Sequence, residues 1–123
     1  MEDRKLCCQV RKVEPLQRAL LGLTAWVSGL RREQSNYRSD IPKIEAESNG
    51  RLKICPLADW SEKKVWNYIR ENNVPYNRLH DQLYPSICCA PCTRSVNPGE
   101  DSRSGRWWWE SADSKECGLH AAK

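Results

Sequence analysis

The sequence predicts an α/β fold, and three observations carry that expectation. A helical stretch at 13–21 runs directly into a short apolar segment at 24–30 that reads as a buried strand. A hairpin signal, Asn49-Gly50, lies between Ile44-Glu45-Ala46 and Leu52-Lys53-Ile54. A second helix with an apolar stripe follows at 61–71.

Each element has a local cause. In the first helix Pro15 suits an opening turn, Glu14 suits the positive end of the dipole, and Gly22 can close the C-terminus. Leu16 and Leu20 share one face at i,i+4 spacing. The strand at 24–30 (TAWVSGL) is bounded by Gly22 and by Arg31-Arg32. Residues 31–43 are polar and loop-like, and 44–57 hold the hairpin. Ser61 is a candidate N-cap for the second helix, Val65 and Ile69 form its stripe, and Asn72-Asn73 ends it. From 74 to 123 the chain is rich in Pro, Ser, Arg and Gly and shows no convincing period, so it is expected to be mobile or ordered by ligands or partners.

Composition narrows the function classes. Leu, Ile and Val contribute 22 of 123 residues and Phe is absent, which is thin for an independent core; six Trp partly compensate. A formal charge of +4 is too small to argue for nucleic acid. No apolar run approaches the roughly 20 residues that span a bilayer. The first residues have no apolar signal region, so the chain is expected in the cytoplasm. Seven cysteines, an odd number, then point to metal binding or thiol chemistry rather than a disulfide framework.

Cys7 and Cys8 are adjacent, and Cys89-Ala-Pro-Cys92 is a C-x-x-C pair after 80 intervening residues. Four thiolates from two separated segments suit tetrahedral zinc or an iron–sulfur cluster, and spacing does not choose between them. Neighbouring side chains normally diverge, so the adjacent pair needs a particular local backbone. Cys88 is either a fifth thiol at the centre or a spectator, and Cys55 is expected to be a buried apolar residue. Cys117 lies in Lys-Glu-Cys-Gly-Leu-His, where Lys115 and His120 could favour a thiolate nucleophile; spacing alone favours a tail thiol without a role. Arg31-Arg32 follow a strand end, and Arg94, Arg103 and Arg106 crowd the segment after the C-x-x-C, where guanidinium forks suit phosphate or sulfate oxygens. Trp107-Trp108-Trp109 cannot all enter one core, so some pack on another surface, a second copy or a missing domain.

Taken together, the motifs are those of a known family. Cys7-Cys8-x-x-Arg11-Lys12-Val13-Glu14-Pro15-Leu16 and Ala25-Trp26-Val27-Ser28-Gly29-Leu30-Arg31-Arg32-Glu33-Gln34-Ser35 resemble the assimilatory adenylyl-sulfate and phosphoadenylyl-sulfate reductases. So do Val74-Pro75-Tyr76-Asn77-x-Leu79-His80-Asp81, Tyr84-Pro85-Ser86-Ile87-x-Cys89-Ala90-Pro91-Cys92-Thr93-Arg94, and the ending from Gly105-Arg106-Trp107 to Leu119-His120. The resemblance covers about residues 7–120.

The resemblance implies a Rossmann-like fold of the adenine nucleotide alpha-hydrolase type. It implies thioredoxin-dependent reduction of adenylyl sulfate to sulfite and AMP through an S-sulfocysteine. It assigns Cys117 as nucleophile, overturning the spacing argument, and places Cys7, Cys8, Cys89 and Cys92 on a [4Fe-4S] cluster. Lys12, Arg31 or Arg32, Arg103, Arg106 and His120 are placed at the substrate. The alternative is a non-enzymatic iron–sulfur or zinc module, a remnant of such a reductase. Two departures from the pattern stand out. Cys88 occupies a position where Gly is usual, and the Ser-Gly-Gly-x-Asp-Ser-type nucleotide loop is absent. The expectation is therefore a C-terminal half, with the cluster cysteines in 1–110, a mobile nucleophile-bearing tail at 111–123, and the N-terminal nucleotide-binding half missing.

Overall fold

Asp3 caps the first helix: its side chain accepts the Leu6 amide at 2.8 Å in a computed structural model that describes residues 3–111 and 115–119. The helical run is α1 (Arg4–Cys8), a π-helical turn (Gln9–Val13) and α2 (Glu14–Ala19). It thus begins well before the predicted residue 13. Pro15 falls at the start of α2, where it can neither donate to the carbonyl four residues back nor tolerate it closely. The wider π turn just before it is a known way to absorb such a misfit. After α2, Gly22 takes φ +78, the left-handed conformation that reverses the chain.

The sheet has three strands in the order β1 (Ala25–Val27), β3 (Leu52–Ile54), β2 (Ile44–Ala46). β1 runs parallel to β3 with Trp26 opposite Lys53, and β2 runs antiparallel to β3 with Glu45 opposite Lys53. The predicted strand at 24–30 is therefore shorter, and it is not buried. Val27 is 67 % exposed, because it shares a sheet face with Ile44 and Leu52, which are exposed as well. The hairpin forms as expected: Glu47 N donates to Arg51 O, and Gly50 takes φ +80. Arg51 Nη1 then reaches the Leu20 carbonyl at 3.1 Å, tying the hairpin to the end of α2.

Beyond the sheet, Leu30, Cys55 and Ala58 form a small core that Ile41 covers, and Cys55 is buried as predicted. Helix α3 (Glu62–Glu71) starts where Ser61 accepts the Lys64 amide, one residue from the predicted boundary. Asn72 caps it and Asn73 turns away at φ 50.

The remainder is irregular, and its own backbone pairs distant loop residues. Val96 N donates to Leu83 O at 2.8 Å, Arg94 N to Gly105 O at 3.0 Å, and Trp107 N to Cys92 O at 3.0 Å. Thr93 and Arg106 form an antiparallel bridge. Such pairings between distant loop residues leave no trace in sequence periodicity. The three tryptophans divide as steric reasoning required: Trp107 is fully buried, while Trp108 and Trp109 stay about half exposed and meet edge to face at 4.7 Å.

Gly105 has no room for a side chain, since a Cβ there would strike the Arg94 carbonyl and stand 2.9 Å from Val96 Cγ2. Gly105→Ala is expected to cost about 1–3 kcal/mol, read as a lowered midpoint in thermal unfolding; an unchanged midpoint would show that the loop pairing yields freely. Trp107→Ala removes the largest buried side chain, with an expected loss of about 3–5 kcal/mol in a denaturant titration.

Candidate functional site

The two cysteine segments meet at Trp107. Cys8, Cys92, Cys117 and Trp107 form one buried cluster, and Cys88 and Leu119 pack against it. Cys8 comes from the last residue of α1 and Cys92 from a tight 3-10 turn (Ala90–Cys92) opened by Pro91. Cys7 is exposed, because adjacent helical residues point about 100° apart. Cys89 is exposed too, yet it lies within electrostatic reach of both Cys92 and Lys12. Burial pushes the Cys8 and Cys92 thiols above the ordinary value. Neighbouring thiols add to the effect at Cys92, while Lys12 and Arg4 oppose it at Cys8.

Lys12 projects from the π turn into this cluster, and its Nζ donates to Cys88 Sγ at 3.0 Å. Burial alone would raise the Cys88 thiol; the Lys12 bond and the nearby Arg106 outweigh it and hold the thiol below its usual pKa. Cys89 and Cys117 also lie close enough to Lys12 to hold its ammonium charged. Arg106 stacks on one part of the Trp107 ring at 4.7 Å and Arg4 on another at 4.5 Å. Arg106 Nε and Trp107 Nε1 are both buried and have no hydrogen-bond partner among the described residues.

Residues 115–119, which carry Cys117, are seated by arginines. Arg38 Nε and Nη2 donate to the two Glu116 oxygens at 3.0 and 2.8 Å, and Arg103 Nη2 donates to Oε1 at 3.1 Å. Arg103 also holds the Lys115 carbonyl at 3.0 Å, and Arg4 holds the Glu116 carbonyl at 2.8 Å. Arg4 further forms a two-pronged pair with Glu110 and hydrogen-bonds the Cys8 thiol. Burial, with Arg106 and Arg38 nearby, lowers the Arg103 guanidinium to about 10, which leaves it cationic at neutral pH. Beside this grip lies a cavity of about 500 Å³ lined by Arg32, Ser35, Tyr37, Arg103 and Lys115 among others.

Of the residues the sequence singled out, Lys12, Cys8, Cys92, Cys117, Arg103 and Arg106 converge here. Arg32 lines the cavity while its Nε is bound to the Ile41 carbonyl at 2.9 Å. Arg31 turns elsewhere, toward Glu33 and the Trp60 carbonyl. His120 lies outside the described residues. Sequence reasoning gave no role to Arg4, Arg38 or Glu116. Arg38 sits in a polar stretch with no pattern, and only the position of Glu116 beside Cys117 hinted at a function.

The donor set fits an iron–sulfur cluster by its chemistry. Cys8 and Cys92, from two segments, meet in one buried cluster beside two unpartnered N–H donors suited to an anionic group, while Cys7 and Cys89 are exposed. Among the described residues no three His, Cys, Asp or Glu side chains stand close enough to clasp a single ion.

A family model described as the phosphoadenosine phosphosulfate reductase domain matches residues 1–95. An adenosine 5'-phosphosulfate reductase of Allochromatium vinosum is 62% identical over 118 residues, covering 95% of this chain and 46% of the relative. A Burkholderia cepacia protein of the same name is 59% identical over 121 residues, covering 98% of this chain and 48% of its own length. One from Rhizobium tropici is 53% identical over 121 residues, covering 98% and 67%. The crystal structure of phosphoadenylyl-sulfate reductase from Candida auris, a phosphate complex, superposes with a TM-score of 0.63 at 41% identity, covering 77% of this chain and 45% of that one. The chain thus spans about half the length of the first two relatives and of that structure. With 95 of its 123 residues matched by the domain model and a fragment of the same α/β fold, the chain belongs to the phosphoadenosine phosphosulfate reductase family.

Proposed function

We propose that this chain carries the thiol half of an adenylyl-sulfate reductase, in which Cys117 attacks sulfate sulfur and external thioredoxin releases sulfite. The observation that supports it best is Cys117 buried beside Cys8 and Cys92 within electrostatic reach of Lys12. In this reading the Cys117 thiolate forms a bond to the sulfur of adenylyl sulfate. The bridging sulfur–oxygen bond breaks, and AMP leaves with the electron pair. A thioredoxin thiolate then attacks Cys117 Sγ, and sulfite departs as the leaving group. Arg103, Arg106 and Lys12 supply the positive charge that the phosphosulfate and the departing phosphate need in a site screened from water. Arg32, at the cavity wall, is better placed for this than Arg31.

Cys7, Cys8, Cys89 and Cys92 would hold the [4Fe-4S] cluster. When bound, that cluster adds fixed negative charge beside the substrate, which Lys12 offsets. The protons on Cys8 and Cys92 must leave when metal binds, so loading is favoured by rising pH. The adenosine moiety is left to the nucleotide-binding half of the reductase, and the setting is a reducing cytoplasm.

Two measurements test the reading. Anaerobically purified chain is expected to contain about four iron and four acid-labile sulfide, and Cys92→Ser to lose both; about one zinc without sulfide would instead indicate a structural module. Incubation with adenylyl sulfate, with the N-terminal half of a relative supplied in trans, is expected to add one SO3 group to the Cys117 peptide. Cys117→Ser should abolish the adduct, and an adduct that persists in that variant would refute the assignment.

A further inference from the structure

We propose that Glu116 is the positioning residue for Cys117: its carboxylate, gripped by Arg38 and Arg103, seats the neighbouring thiol in the Cys8–Cys92–Trp107 cluster. The inference rests on Cys117 being the nucleophile, and it assigns the device that brings that thiol into place.

Residues 115–119 belong to no helix or strand, yet Cys117 is only 9% exposed. Something other than secondary structure holds it. The backbone is caught at two carbonyls, Lys115 by Arg103 and Glu116 by Arg4. Those bonds fix the chain but do not select its sequence. The Glu116 side chain is different, because it is the carboxylate that both Arg38 and Arg103 engage. The two arginine side chains are 7% and 8% exposed, so their charges are costly to leave unpaired. Gln34 bonds Arg38 at 2.7 Å but is neutral, and Asp101 reaches Arg103 electrostatically without a bond from its guanidinium. Glu116 is therefore the anion at the centre of the grip.

Geometry converts that grip into thiol placement. Glu116 points its carboxylate into the arginine site, and the next residue turns its thiol into the cysteine cluster. Gly118 at φ +83 bends the chain immediately afterwards, and Leu119 packs back on the same cluster. An ionic anchor one residue from the thiol places it firmly, yet it can be released without unfolding a helix. A nucleophile that must meet a buried substrate and then an external thiol needs both properties.

The test uses the full 123-residue chain, reading the alkylation rate of each cysteine by iodoacetamide and peptide mass spectrometry. Glu116→Gln keeps the shape and removes the charge, so Cys117 alkylation should rise roughly ten- to a hundredfold, as expected for loss of charge-assisted hydrogen bonds. Cys55, in the other core, should stay protected in every variant. Glu116→Asp should recover part of the protection. With the N-terminal half supplied, Glu116→Gln should slow SO3 transfer to Cys117 by a similar factor, again with partial rescue by Asp. Unchanged Cys117 alkylation in Glu116→Gln would overturn the proposal. So would parallel exposure of Cys55, which would make Glu116 a general stabiliser. Failure of the wild-type chain to form the SO3 adduct would refute the nucleophile, while the alkylation pattern still reports on the seat.

Discussion

The structure depends on the burial of Trp107 between cations. Its ring takes Arg4 and Arg106 at 4.5 and 4.7 Å, with Lys12 at 5.9 Å, while its amide donates to the Cys92 carbonyl. Four parts of the chain meet there: α1 through Arg4, the π turn through Lys12, the C-x-x-C turn through Cys92, and the tail through the Arg4 contact to Glu116. One large aromatic ring attracts all three cations while the N–H groups of Arg4 and Lys12 still reach a carboxylate and thiols. Trp107 adopts φ 41, a conformation a bulky side chain avoids, and the surrounding contacts must hold it there.

Charge organises the rest of the site. Arg4, Arg38 and Arg103 are buried, and each finds a carboxylate or carbonyl from a distant segment. Paired arginines fix the tail through geometry that a lysine could not reproduce, since the fork binds two oxygens at once. Lys12 plays the other part, as a point charge among thiols where no planar recognition is needed. Lys12 donates to Cys88 at 3.0 Å. This thiol gives the lysine a local partner and places a further sulfur against Cys8, Cys92 and Cys117.

Legibility in the sequence followed the range of the interactions. Helix α3, its Ser61 cap and the Asn49-Gly50 hairpin were readable because capping and turn chemistry act within a few residues. The burial of Cys55 was readable as well. The first helix was only partly so: nothing in Cys-Cys-Gln-Val-Arg-Lys marks a helix, because that stretch is held by Asp3 and relaxed by a π turn. Strand β1 was recognised but misjudged as buried, since its apolar residues fit a sheet whose neighbouring face is not covered within this chain. The order in residues 78–111 was invisible, because backbone bonds such as Trp107 to Cys92 favour no residue type.

The sequence by itself determined the chemistry available: two cysteine pairs, a tail thiol, a lysine, a set of arginines, and the family those motifs share. Only the tertiary structure decided how they are used. It buried Cys8, Cys92 and Cys117 together and left Cys7 and Cys89 outside. It gave Lys12 to Cys88 and turned Arg31 away. It also brought in Arg4 and Arg38, which carry no motif, and gave them Glu116, which the Cys117 motif contains without naming its role. The reason is physical. Motifs record which groups a site needs, whereas contacts such as Arg38 to Glu116, 78 residues apart, exist only after the chain has packed, and Arg38 taken alone is an ordinary charge on a polar stretch.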